Sequence, residues 1–260
     1  MGSSERPVAL VTGGTRGVGA ATARRLAARG YDVALTYRNK AKRAAEVAAG
    51  VEQHGVGALS VGCDITRQED VDQLMATLRA WAGRLDVLVL NASGGLERDL
   101  LAADPQYPTR INRDAQLAVL DGALPLMGSG AAVVFVTSHW AHRYGQVEQL
   151  PAYTPVAASK HAGERALRAR QPDLHERGVR LIVVTGDLIE GTITPRLLER
   201  RSRGTLDQWR GAAGALPTTE VMGEAIARAV TDPALPGGHT VVVGRPLESL
   251  PGIGPAGRPQ

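Results

Sequence analysis

Thr12, Gly13, Gly17 and Gly19 form the pattern T-G-x-x-x-G-x-G, whose residue types and spacing suit phosphate binding. The pattern follows the apolar run VALV and opens onto RRLAAR at helical spacing, so it reads as strand, glycine turn and helix. The first glycine permits a tight turn, and the second lets backbone N–H groups approach a pyrophosphate. The third lets the helix pack closely on the strand. The helix N-terminus then faces the phosphates. Thr15, Arg16 and Val18 in the same turn are further candidates for contact with a dinucleotide.

Charge argues for which dinucleotide. NAD-binding turns usually end the second strand in a carboxylate that holds the ribose 2′-hydroxyl. Here that end is Thr36-Tyr37-Arg38-Asn39, and the acid nearby, Asp32, lies at the strand's beginning. Arg16 and Arg38 together suit a 2′-phosphate, which a guanidinium fork grips with paired hydrogen bonds. NADPH is the expected cofactor.

The elements that must position these groups alternate along the chain. A helix over about 18–29 ends at Gly30, and strands follow at 31–37, 58–63, 85–91, 131–138, 179–185 and 239–244. Between them lie helical stretches at 40–54, 67–82 (with Thr66 and Glu69 spaced as a capping box), 109–126, 156–176 and 218–232. Pro172 sits where it would kink the helix over 156–176. LDVLVLN at 85–91 is apolar almost throughout, as a strand covered on both faces should be. Strict alternation predicts an α/β, Rossmann-like, doubly wound sheet of seven mainly parallel strands, with helices on both faces. The expectation is one domain over 1–260 with a loose Pro/Gly-rich tail from about Pro246.

With these motifs in this order, the chain resembles the short-chain dehydrogenase/reductase family from about Arg6 to Gly244. The resemblance rests on the glycine turn, on Asp64-Ile65 after the third strand, and on Asn91-Ala92-Ser93-Gly94-Gly95 as a variant N-A-G turn. It rests further on Asn112 in RINRDA, Ser138 ending the fifth strand, Ser159-Lys160 as the end of Y-x-x-x-K, and Gly186 after the sixth strand. It implies that Asp64 meets the adenine, that Asn112 helps hold a relay water, and that Ser138 orients a carbonyl. Lys160 would hold the nicotinamide ribose, with Gly186 and Leu188 beside the cofactor. It also implies a homo-oligomer paired through the helices over 109–126 and 156–176.

The expected active site departs from the family. Val156 occupies the position of the catalytic tyrosine, and a valine neither donates nor accepts a proton. Tyr153 stands one turn earlier, and two readings are open: its hydroxyl swings into the pocket, or its ring packs at the helix entrance. The segment 139–151 reads as an enlarged loop offering His139, Trp140, His142, Tyr144 and Glu148 to a substrate. Asp187 and Glu190 replace family residues after the sixth strand and add negative charge near the hydride site. Without an acid at 156, an iminium or hemiaminal suits the site, because a C=N carbon that accepts hydride becomes a neutral amine. A C=O group needs a proton donor or strong polarisation. The expectation is a reductase of a bulky secondary metabolite at C=N or C=O, for tailoring or detoxification; the alternative is a non-catalytic NADPH-binding regulator.

Composition narrows the classes further. Thirty basic residues against 26 acidic ones give a net charge of only +4, with the arginines spread along amphipathic segments, so nucleic acid is not an expected partner. Cys63 is alone, so neither a disulfide framework nor a cysteine metal cluster is expected. No apolar run has membrane-spanning length and MGSSERP lacks a signal-peptide core, so a cytoplasmic chain is expected.

Overall fold

A computed structural model of the protein describes residues 5–201, 204 and 215–250. Seven strands run β1 (Val8–Val11), β2 (Asp32–Tyr37), β3 (Ala58–Gly62), β4 (Leu85–Leu90), β5 (Met127–Ser138), β6 (Arg180–Gly186) and β7 (Thr240–Val243). They form one sheet in the order β3-β2-β1-β4-β5-β6-β7, and each pairing is parallel. The chain leaves β1 toward β3 and later returns past β1 toward β7. The order therefore reverses between β1 and β4, and the crevice at their C-terminal ends is where such sheets bind ligands.

The helices are α1 (Gly17–Ala27), α2 (Ala41–Glu52), α3 (Gln68–Trp81), α4 (Arg98–Ala103), α5 (Tyr107–Thr109) and α6 (Ala115–Ala123), then α7 (His139–His142), α8 (Thr154–Ala169), α9 (Gln171–Glu176), α10 (Ile193–Arg201) and α11 (Thr219–Thr231). Alternation along β5 divides the core in two. Val133 and Phe135 pack with Leu74 of α3, Leu120 of α6 and Leu167 of α8 on one face. Val134 and Val136 pack with Leu26 of α1, Val47 of α2 and Ile226 of α11 on the other. A third apolar cluster, with Leu96, Trp140, Tyr153, Val156, Leu188 and Leu250, is built from segments that follow β4, β5, β6 and β7. It forms a wall beyond the strand ends.

Several local expectations change. The stretch 109–126 is not one helix: α5 leads into a π-helical turn at Arg110–Asp114 before α6, and Asn112 lies in that turn. The helix expected over 156–176 is two, because α8 ends at Ala169 and Pro172 falls in the first turn of α9, where its missing N–H costs nothing. Thr66 does not cap α3; its N–H and hydroxyl both donate to Asp64 Oδ1, at 3.0 and 2.7 Å, closing a local turn instead. The expected loop after β5 begins with the short helix α7. Within the tail expected from Pro246, Leu247–Ser249 forms a 3-10 turn and Leu250 is buried, while 251–260 lies outside the described residues. Among the described residues, no helix is long and apolar enough to cross a membrane.

Candidate active site

The crevice over β1 and β4 is a cleft of about 700 Å³. At one end the glycine turn is fastened to its neighbours. Gly13 N donates to Thr36 Oγ1 at 3.0 Å, and Asn91 Nδ2 donates to Thr12 O at 2.9 Å. A Cβ added at Gly19 would stand 2.4 Å from Gly13 O and 2.6 Å from Asn91 Nδ2, so the helix meets the turn only because that residue has no side chain. The turn is thus a cradle open toward the cleft, and it fits a pyrophosphate.

Gly13, Thr15, Arg16, Gly17, Val18, Gly19, Arg38, Asp64, Ile65, Asn91, Ala92, Ser93, Lys160 and Leu188 all line the cleft, as the sequence suggested. Gly186 does not; an added Cβ there would meet Ile189 and Met222, so it packs inside the fold. Lys40 and Arg43 also line the cleft beside Arg16 and Arg38, and the sequence reading missed them. Their signal was present in the run Arg38-Asn39-Lys40-Ala41-Lys42-Arg43. Asp32 is remote from this end, because its carboxylate accepts from Gly57 N at 2.7 Å and its Cα pairs with Val8 at the start of β1. A cationic end with no acid at the tip of β2 fits a 2′-phosphorylated dinucleotide.

At the other end, Tyr153 is the N-cap of α8 and its hydroxyl donates to Ser138 Oγ at 3.1 Å. Ser138 Oγ also accepts from Ala141 N at 3.3 Å. A hydroxyl has two acceptor sites and one donor, so Ser138 is left to donate. Burial pushes the Tyr153 phenol above its usual value, outweighing the opposing pull of Ser138, so it is a neutral proton donor at neutral pH. Lys160, on the second turn of α8, donates from Nζ to Val136 O at 2.9 Å. Burial pushes its ammonium down to about 8 against the upward pull of Glu164.

A sequence model described as short chain dehydrogenase matches residues 7–201. The chain belongs to this family. It is 29% identical over 72% of its length to 1-cyclohexenylcarbonyl-CoA reductase of Streptomyces collinus, and 32% identical over 66% to hydroxynaphthalene reductase arp2 of Aspergillus fumigatus. These matches span 66% and 62% of the relatives, just under two thirds of each. A short chain dehydrogenase from Burkholderia cenocepacia, solved in complex with NADP, is 28% identical and superposes with a TM-score of 0.81, covering 95% of this chain and 98% of that one.

Other residues that the family resemblance and the loop suggested are placed differently. Asn112 is tied up: its Nδ2 donates to Gly94 O and Ser159 Oγ, both at 2.9 Å, and its Oδ1 accepts from Ser93 Oγ at 2.8 Å. It is outside the cleft lining, and its amide braces α8 against the Asn91 turn. His139 is fully buried between Thr185 Oγ1 and Arg245 O, and burial pushes its imidazole down to about 4, so it stays neutral. His142 is bonded to Glu164, and Tyr144 stacks toward His161, so neither lines the cleft. Glu190 is exposed, with its N–H on Pro217 O, and also lies outside the lining. Asp187 does line the cleft, but its carboxylate is matched by Arg245 Nε at 2.5 Å and accepts from Leu188 N at 2.7 Å. The negative patch expected here is therefore neutralised. Of Trp140 and Tyr144 in the segment after β5, Trp140 lines the cleft, edge-on to Tyr153 at 6.5 Å between ring centroids.

Proposed function

We propose that the chain is an NADPH-dependent reductase that acts on the carbonyl group of a bulky, ring-bearing small molecule. The observation that carries this is the hydrogen bond from Tyr153 to Ser138, 3.1 Å long, in a cleft that Lys160 also lines. Tyr153 stands three positions before Val156 in the chain, and its hydroxyl reaches the serine.

The cofactor, when bound, supplies a hydride to the carbonyl carbon. The chain's own residues handle the charge left on oxygen. Ser138, its acceptor sites occupied, gives its one hydrogen to that oxygen, and the Tyr153 hydroxyl that donates to Ser138 Oγ replaces that proton, leaving a phenolate. Lys160, which lines the cleft, would hold the nicotinamide ribose, and Arg16, Arg38, Lys40 and Arg43 would hold the 2′-phosphate. Trp140, Val156, Leu96, Leu150 and Leu188 give the substrate end an apolar wall, which suits flat, poorly charged rings. Both curated relatives bear the names of reductases whose substrates contain rings.

A carbonyl is favoured over an iminium because both supports for a cationic substrate are weak. Arg245 compensates Asp187, and Glu190 lies outside the cleft lining. The test is single-turnover NADPH oxidation against matched panels of cyclic ketones and cyclic iminium ions. Ketone turnover is expected. Turnover of iminium ions alone would restore the C=N chemistry, and stoichiometric NADPH binding without turnover would favour the regulator.

A further inference from the structure

Arg38 is an exposed side chain at the end of β2. A long cation in that position samples many rotamers, and its planar fork discriminates a phosphate only when its plane is held. The structure supplies a holder from a distant part of the chain. Arg38 Nη1 donates to Tyr107 Oη at 2.9 Å. Tyr107 is only 5% exposed, and its ring belongs to the core on the α3 and α6 side of the sheet. The phenol is therefore fixed while the arginine is not.

A second observation shows that the site makes room for this contact. A Cβ added at Gly94 would stand 3.0 Å from Tyr107 Oη and 3.0 Å from its Cε1. The phenol thus lies directly on the backbone of the turn after β4, and both Gly94 and Tyr107 line the cleft. One guanidinium N–H is spent on Tyr107, which leaves the other donors of the fork for an anion.

We propose that Tyr107 is a positioning residue that sets the preference for NADPH over NADH by holding the Arg38 guanidinium for the adenosine 2′-phosphate. This rests on the cofactor reading given above. NADH lacks that phosphate, so holding Arg38 favours one cofactor and is indifferent to the other.

The experiment measures dissociation constants of NADPH and NADH for the full chain and for Tyr107→Phe. Loss of one hydrogen bond is expected to raise the NADPH constant about 3–10-fold and to leave the NADH constant where it was. In an Arg38→Ala background, Tyr107→Phe is expected to add nothing. Gly94→Ala, which displaces the phenol but keeps its hydroxyl, is expected to lower the same preference. Equal weakening of both cofactors by Tyr107→Phe would show a packing role only and overturn the proposal, as would an unchanged preference. Should the parent chain bind the two cofactors equally, the NADPH reading fails first and the proposal with it. A parent that prefers NADPH, beside a Tyr107→Phe variant that prefers it equally, sinks the proposal alone.

Discussion

The two ends of the cleft solve different problems. At the phosphate end the pyrophosphate cradle is backbone: Gly13, Gly17 and Gly19 at fixed spacing, braced by Thr36 and Asn91. At the proposed hydride end the groups brought together are side-chain tips: the Tyr153 hydroxyl reaches Ser138 Oγ from the N-cap of α8, while Val156 stands on the helix itself. A backbone cradle tolerates no shift, because one added Cβ at Gly19 collides with Gly13 O at 2.4 Å. A phenol is long enough to reach the same point from more than one Cα. The first kind of site is therefore conveyed by spacing, and the second by geometry alone.

This contrast is best broken at Tyr153. Tyr153→Phe is expected to lower the single-turnover rate of ketone reduction by about 10²–10⁴-fold, the usual size of a general-acid contribution. A rate within a few-fold of the parent would mean that Tyr153 is not the acid of the hydride end. Asp187→Asn tests whether the carboxylate near the hydride end serves structure or substrate. It leaves the buried Arg245 without its counter-charge, and a stability loss of about 3–5 kcal/mol in urea unfolding is expected. A stable variant that loses affinity for cationic substrates would reverse the assignment. At the phosphate end, Arg38→Asp is expected to cut the NADPH-over-NADH preference about 10–100-fold, the scale of a charge-assisted hydrogen bond. The smallest effect should come from Lys160, whose ammonium is pushed down to about 8. Its charge is lost as pH rises through that value, so kcat/KM for NADPH should fall above about pH 8 and Lys160→Met should lack that limb. In the cofactor-free chain, the unfolded lysine keeps its proton up to its ordinary 10.5 and the folded one only to about 8. Between those values the unfolded state binds more protons, so this group makes the fold more stable as pH rises.

Much of the fold was legible in the sequence, because alternating apolar runs and helical spacings are properties of single segments. The seven strands and the cofactor residues of the glycine turn follow from such patterns. Breaks within segments were harder to see. The π turn at Arg110–Asp114 and the separation of α8 from α9 depend on what packs against them. Polar residues in the segment after β5 were the least legible. His139, His142 and Tyr144 have the types a catalytic loop would use, but α7 turns His139 into the core against Thr185 and Arg245 and pairs His142 with Glu164. Tyr107 could not be found by any local pattern, since its partner Arg38 lies 69 residues away.

The clamp around Arg245 bears on the order in which the protein is made. Its carbonyl accepts from His139, and its guanidinium neutralises Asp187, so the segment after β5 and the turn after β6 are completed by a residue beyond β7. Chains emerge from the ribosome N-terminus first. The glycine turn, Thr36 and Asn91 have all been synthesised before β5 appears, whereas the surroundings of Ser138 wait for residue 245. The residues that form the phosphate cradle thus emerge well before those that complete the surroundings of Ser138.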